Sequence, residues 1–299
     1  MASTYHDLEL EARRGLLAEG SESAEFDARE LLMLASGKTR EELVRDQDLY
    51  PPTEVEKKLR ELVRRRGGGE PLAYVLGMWS FRKLDFLVNP SVLIPRQETE
   101  ILADLTVKYL KDMGRNTRVL DLCAGSGCIG LSVAYEVKNS RVVLVELSDE
   151  ALEVCRKNIR LHRLTGRVVP LKGDALLPPS PALGMFDALV CNPPYITTGE
   201  IAFLDESVTG YEPIMALDGG RDGLDFYRSV VDQWRHIIRP GGYLLFEVGD
   251  NEQSEKVGQL LTRAGFRNIR ITRDLNKVHR VVSGRMPLAV LEPDDDEDD

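Results

Sequence analysis

The stretch "RVLDLCAGSGCIGLSVAYE", residues 118–136, runs from an apolar strand pattern through a glycine-rich loop into a helix pattern. Gly125, Gly127 and Gly130 stand in G-x-G-x-x-G spacing, which gives a tight turn where a ligand can approach backbone N–H groups. Working outward, "RVVLVELS" (141–148) reads as the next buried strand, and Glu146 closes it about 20 residues after the loop, where a carboxylate can meet ribose hydroxyls. Helix and strand patterns then alternate: "DEALEVCRKNIRLHRL", "RVVPLKGD", "FDALVC", "GLDFYRSVVDQWRHIIR", "GGYLLFEVG" and "NEQSEKVGQLLTRAG". Strands that read as near-continuous apolar runs are buried on both faces, so the expectation is an α/β, doubly wound domain on a mostly parallel sheet. The last two strands, "RNIRITRDL" and "HRVVSGR", are joined briefly at Asn276–Lys277 and read as an antiparallel hairpin.

Upstream, apolar residues recur at helical spacing from Tyr5 to about Arg66, with breaks at Gly20, Gly37 and Pro51–Pro52. The organisation expected is a helical domain of about four helices at 1–66, a connector at 67–95, the α/β domain at 96–290 and an acidic, disordered tail at 291–299. Within the connector, "FRKLDFLVNPSVLIPR" alternates and is expected to turn as a hairpin at Asn89–Pro90.

The formal charge is −10, but seven carboxylates sit in the final "EPDDDEDD", so the remaining chain is close to −3. That argues against an electropositive groove for stable nucleic-acid binding. The basic cluster "EKKLRELVRRR" (56–66) reads either as a solvated helix face or as a contact for an acidic or RNA-associated partner. Four cysteines without a C-x-x-C pair or ligand-like histidine spacing point to neither disulfides nor a metal site. With no apolar leader and no run of about 18 apolar residues, a cytoplasmic protein without a membrane segment is expected. A monomer is expected too.

The glycine loop suits adenosyl ligands in general and does not by itself separate NAD from S-adenosylmethionine. Asp121, four residues before Gly125, offers an anion for an ammonium group rather than a pyrophosphate, and Asp174 in "GDAL" offers a carboxylate to an adenine amino group. The other end of the site is "FDALVCNPPYIT" (186–197), an apolar strand that stops at Asn192, Pro193, Pro194 and Tyr195. Ligands of open α/β sheets bind beyond the carboxyl ends of the strands, so these four residues face the reactive end of a ligand. Prolines fix φ and lack N–H groups, Asn192 adds an amide oxygen, and Tyr195 adds a flat face. Together they suit a planar group bearing NH2, such as an amide or an adenine, whose nitrogen is a poor nucleophile until its hydrogens are held and its developing charge is favoured.

"CNPPY" together with "DLCAGSGCIG" resembles the amino-methylating class I S-adenosylmethionine enzymes. "GEPLAYVLG", "VLIPRQETE", "DEALEVCRKN", "YEPIMALDGGRDGLDFYR", "RPGGYLLFEVG" and "DLNKVHRVV" narrow the resemblance to the release factor glutamine methyltransferase family (PrmC/HemK), over about Glu70 to Val282. The helical region resembles that family's partner-binding domain more weakly. The resemblance implies a Rossmann-like, seven-stranded class I methyltransferase domain that uses S-adenosyl-L-methionine to methylate the glutamine amide nitrogen in the Gly-Gly-Gln loop of class I peptide chain release factors. It implies that Cys123, Ala124, Gly125, Ser126 and Gly127 line the cofactor, that Glu146 binds its ribose, and that Asp174 and Ala175 flank adenine. It further implies that Asn192 and Pro193 hold the glutamine amide by their oxygens while Tyr195 packs on it. Two departures touch the fit around adenosine: Glu146 stands where the family often has Asp, and Ala175 where some members have a large side chain. The alternatives are an adenine-specific nucleic-acid methyltransferase and a glutamine methyltransferase acting on a ribosomal protein.

Overall fold

The computed structural model describes residues 3–288; the acidic tail expected at 291–299 lies outside them. The chain divides into two compact units. The first holds the residues through Trp79, with Val88–Pro90 and Leu204–Glu212. Its helices are α1 (Tyr5–Ala18), α2 (Ala24–Ser36), α3 (Arg40–Arg45), α4 (Thr53–Gly67) and α5 (Leu72–Leu76). Thr4 and Thr39 cap α1 and α3 with reciprocal bonds to Asp7 and Glu42, satisfying N–H groups that the first turn leaves free. Leu8, Leu16, Leu31, Leu32, Leu59 and Leu62 recur at helical spacing and share one core.

The boundary expected at Arg66 does not end this unit. The glycine run 67–69 only closes α4, and α5 returns Leu72 and Val75 to the same core. Most of the basic cluster is used internally: Arg66 pairs with the buried Asp27 at 2.7 Å, Arg65 with Glu70, Arg60 with Glu56 and Lys57 with Glu54, and Lys58 donates to the Leu34 carbonyl.

The second unit holds Ser80–Leu87, Ser91–Phe203 and the residues from Pro213 onward. The strands β1 (Met78–Phe81) and β2 (Leu84–Leu87) form a two-stranded sheet, and the chain reverses between them at Arg82–Lys83, not at Asn89–Pro90. Arg82 adopts φ +57, a conformation uncommon for a residue with a Cβ. It is held there by its N–H bond to Glu100 Oε1 (2.7 Å) and by guanidinium bonds to Glu136 (2.7 and 3.0 Å). Tertiary bonds thus override the turn chemistry that marks Asn89–Pro90.

The main sheet comprises β3 (Thr117–Leu122), β4 (Ser140–Glu146), β5 (Val168–Lys172), β6 (Phe186–Cys191), β7 (Ile238–Glu247), β8 (Arg267–Arg273) and β9 (His279–Arg285). Its order is β5-β4-β3-β6-β7-β9-β8, parallel except for β9, which runs antiparallel to β7 and β8. The pleat sends alternate residues to opposite faces. Val119, Val190 and Leu245 join the core with Leu102 and Leu110 of α6 (Thr99–Asp112) and Leu131 of α7 (Cys128–Glu136). Leu120, Leu189 and Leu244 join the core on the other side, with Tyr227 of the segment from 225 to 237 and Val257 of a helix at Asn251–Arg263. The expected helix 223–239 is a run of changing pitch: a helix at Asp225–Ser229, a π turn at Val230–Trp234 and a 3-10 turn at Arg235–Ile237.

The sheet reverses its order between β3 and β6, which pair directly with Leu122 opposite Cys191. The glycine loop leaves one of these strands and Asn192 leaves the other, so the crevice outside their carboxyl ends is the switch point where such sheets bind ligands.

Candidate active site

The loop after β3 is built on left-handed backbone: Cys123 at φ +62, Gly125 at φ +53 and Gly127 at φ +81. Gly130 serves a different need. A Cβ there would come within 2.3 Å of Leu144 and 2.9 Å of Asp121, so its bareness lets the next helix pack on the sheet. Glu146 is woven into the loop, with Oε2 accepting from the Gly125 N–H (2.8 Å) and Oε1 from the N–H groups of Leu147 (2.8 Å) and Ser148 (2.9 Å).

Beyond these strand ends lies an open cleft of about 920 Å3 counted out to its mouth. Of the residues expected to bind ligand, Cys123, Ala124, Gly125, Ser126, Glu146, Asp174, Ala175, Asn192 and Pro194 line it together. Gly127, Pro193, Tyr195 and Asp121 do not. Asp121 is fully buried beneath the loop, where Oδ2 accepts from the Gly130 N–H at 2.8 Å and Oδ1 has no partner. The expectation that it faces an ammonium group is therefore corrected: the strand pleat turns it inward. Burial pushes its carboxyl up to about 7, with the Gly130 bond opposing and the Glu146 charge adding to the rise.

At β5, Asp174 Oδ1 accepts from the Leu176 N–H (2.8 Å), and the Ala175 carbonyl is fixed by Ser229 (2.8 Å) and Trp234 (3.1 Å). Tyr195 is packed rather than presented. Its carbonyl accepts from Gln253 Nε2 (2.9 Å), its ring stands where a Cβ on Gly249 would come within 3.1 Å, and burial raises its phenol well above the usual range. It stays a neutral wall for the loop.

Asn192 lines the cleft, and its Nδ2 lies 3.4 Å from Oγ1 of the buried Thr99. Glu247, the last residue of β7, is buried, and its Oε2 has no partner. Burial pushes the Glu247 carboxyl up to about 7; nearby Thr99 and the charge of Arg280 oppose the rise, and Glu98 adds to it. Thr99, Glu247, Phe226 and Met215 were not among the residues anticipated, although Thr99, Phe226 and Met215 line the cleft. The readable signal for Glu247 is an acid ending the otherwise apolar run "YLLFE". None of the described residues lining the cleft is a histidine: His162 packs on Phe86, and His279 Nδ1 bonds Ser254 at 2.6 Å. Among the described residues no group of three or more His, Cys, Asp or Glu could hold a metal, and no helix is long and apolar enough to cross a membrane.

A seven-stranded sheet of this order, with a glycine loop after β3, an acid ending β4 and Asn-Pro-Pro-Tyr after β6, defines a class I S-adenosylmethionine-dependent methyltransferase. The fold is shared with the hMettl16 catalytic domain solved in complex with MAT2A 3'UTR hairpin 6, at a TM-score of 0.55 and 14% identity over 70% of this chain and 77% of that one. Residues 8–77 match the PrmC N-terminal domain family and residues 87–206 the Methyltransferase small domain family. The chain is 40% identical over 280 residues to the release factor glutamine methyltransferase of Geobacter sulfurreducens, covering 93% of this chain and 95% of that protein. It is 36% identical over 275 residues to the one of Caulobacter vibrioides, covering 91% and 93%. The chain belongs to the release factor glutamine methyltransferase family.

The residues present fit S-adenosylmethionine. A Cβ on Gly125 would project into open space at the cleft wall, so the loop leaves its backbone bare to a ligand, and Glu146 is already aligned by three N–H bonds.

Proposed function

We propose that this protein methylates the side-chain amide nitrogen of the glutamine in the Gly-Gly-Gln motif of class I peptide chain release factors, with Asn192 as the residue that receives that amide. S-adenosylmethionine supplies an electrophilic methyl group carried on a sulfonium. Cys123–Ser126 and Glu146 would hold its amino-acid and ribose portions, and Asp174 with Ala175 its adenine.

One observation carries the reading: Asn192 stands at the cleft wall beside the glycine loop with its Nδ2 3.4 Å from Thr99 Oγ1, so that its Oδ1 is available as an acceptor. An amide nitrogen has its lone pair delocalised. Accepting a hydrogen of that nitrogen on Asn192 Oδ1 orients it and favours the positive charge that grows on it as the new bond forms. Such stabilisation asks for acceptors rather than a strong base, in keeping with a cleft lined by no histidine; the surplus proton leaves to water.

The test is transfer of labelled methyl to a class I release factor, intact or with its Gly-Gly-Gln glutamine changed to alanine, with duplex DNA in parallel. Label on the intact factor alone is expected. Label on DNA alone would recast Asn192 to Tyr195 as an adenine clamp, because adenine's exocyclic amine presents the same planar NH2.

A further inference from the structure

Behind the glycine loop lies α8 (Asp149–Leu161), the helix that follows β4. Cys155 and Asn158 stand three residues apart on it, on one face, and both are fully buried. Each takes one carbonyl of the loop: Cys155 Sγ donates to the Gly125 oxygen (3.2 Å) and Asn158 Nδ2 to the Ser126 oxygen (2.9 Å). A trans peptide sets its N–H opposite its C=O, so holding the Gly125 carbonyl on α8 turns the Ser126 N–H away from that helix. Ser126 lines the cleft, whereas Cys155 and Asn158 do not.

Asn158 makes a second set of bonds. Its Oδ1 accepts from the Leu87 N–H (2.8 Å) and its Nδ2 donates to the Leu87 carbonyl (3.1 Å), so it clamps the end of β2 as a neighbouring strand would. The loop and the clamp together use both amide hydrogens and the oxygen, a set that aspartate or leucine at this position could not supply. Asparagine is a poor helix former, and packing alone would be better served by an apolar residue at this buried position of α8. Leu87 does not line the cleft, and directly after it the chain passes from the second unit to Val88–Pro90 of the first.

We infer that Asn158 is a positioning residue that couples the cofactor loop to β2: closing the clamp on Leu87 holds the loop in the shape that binds cofactor, and bound cofactor holds the clamp closed in return. The inference goes beyond the choice of methyl acceptor and stands whichever one the cleft receives. Coupling between two sites is reciprocal, so one ratio governs both effects. The ratio of cofactor affinities with the clamp closed and open sets how far saturating cofactor suppresses opening at Leu87, and also how much affinity is lost when the clamp is removed. With the bond to the Ser126 carbonyl at stake, that ratio should be about five- to tenfold.

The experiment measures amide hydrogen exchange of the full chain with and without saturating S-adenosylmethionine, and the Kd of S-adenosylmethionine by calorimetry, for wild type and Asn158→Ala. In the wild type the cofactor should slow exchange across residues 122–128 and also across 84–88, the latter about five- to tenfold. Asn158→Ala should raise Kd by the same factor and lose the effect at 84–88, while residues 122–128 still slow at saturating cofactor. A merely structural asparagine would lower the melting temperature and move neither cofactor-dependent reading, so a variant that melts earlier with a wild-type Kd would overturn the inference. So would a wild type in which cofactor slows 122–128 and leaves 84–88 untouched. If Asn158→Ala does not fold, that wild-type comparison decides alone.

Discussion

At the amino end of β6, Asp187 is fully buried and fully partnered: Oδ1 accepts from Arg115 at 2.6 Å, and Oδ2 from the Arg118 N–H at 2.7 Å and Arg239 at 2.9 Å. At the carboxyl ends of β3 and β7, Asp121 and Glu247 are as deeply buried, yet Asp121 Oδ1 and Glu247 Oε2 have no partner. One sheet therefore treats the same functional group in two ways. Leaving a buried polar atom unsatisfied costs about 1–3 kcal/mol, so such acids persist where they perform a task that a saturated ion pair would prevent. At the amino end the acid joins the starts of three strands. At the carboxyl end Asp121 spends one oxygen fixing the Gly130 backbone, and Glu247 lies buried at the end of the strand that pairs with β6.

The largest expected effect belongs to the carboxyl end and should appear in rate, not stability. Asn192→Ala should lower kcat by about 10²- to 10³-fold, comparable to removing one oxyanion-hole donor, while cofactor affinity and melting temperature hold. An unchanged rate would strip the carboxyl end of its functional claim. Asp187→Asn should do the reverse. Losing charge-assisted bonds to two partly exposed arginines should destabilise the fold by about 2 kcal/mol, read by chemical denaturation, with kcat per folded molecule unchanged. A fall in kcat at full folding would mean that the two ends are coupled.

This contrast between strand ends also marks what could be read from the sequence. The glycine loop, the apolar strands and Asn-Pro-Pro-Tyr are local patterns, and they placed the sheet, the switch point and both sides of the cleft. Contacts made at long range were not legible. Thr99 meets Asn192 from a distant part of the chain, and no spacing rule joins "ETE" to "CNPPY". Arg82 turns the hairpin because Glu100 and Glu136 hold it, whereas Asn89–Pro90 has the better local turn chemistry. Asp121 was visible as an acid near the loop, but its direction depends on strand pleat and on Gly130.

A pH-dependent effect separates the two kinds of buried acid by sign. Burial raises the Asp121 carboxyl from its ordinary 3.8 to about 7. The folded state therefore holds this proton more tightly than the unfolded chain does. Its contribution to stability is full below about pH 4, is lost as pH rises to about 7, and is level beyond, with a slope of at most about 1.4 kcal/mol per pH unit. Asp121→Asn removes that dependence, so the variant should gain on the wild type between about pH 4 and 7 in melting experiments, while Glu247 keeps a slope of its own. Neutralising Asp187 destabilises and neutralising Asp121 stabilises at pH 8; equal signs would erase the distinction between the ends.

The smallest effect tests whether the cleft itself divides into a part that binds and a part that reacts. Asp174 at the end of β5 commits Oδ1 to the Leu176 N–H and keeps its other oxygen for a ligand's amino group. One hydrogen bond of this kind contributes about 1 kcal/mol, so Asp174→Ala should weaken cofactor binding about five- to tenfold by calorimetry. Asp174→Asn keeps one acceptor oxygen, enough for the Leu176 N–H or for the ligand's amino group, and should weaken it less. Neither should change kcat at saturating cofactor, because a contact to adenine is the same before and during methyl transfer and so lowers KM without lowering the barrier. A lower kcat with unchanged affinity would place Asp174 with Asn192, as a residue whose bonds matter only as the amide reacts.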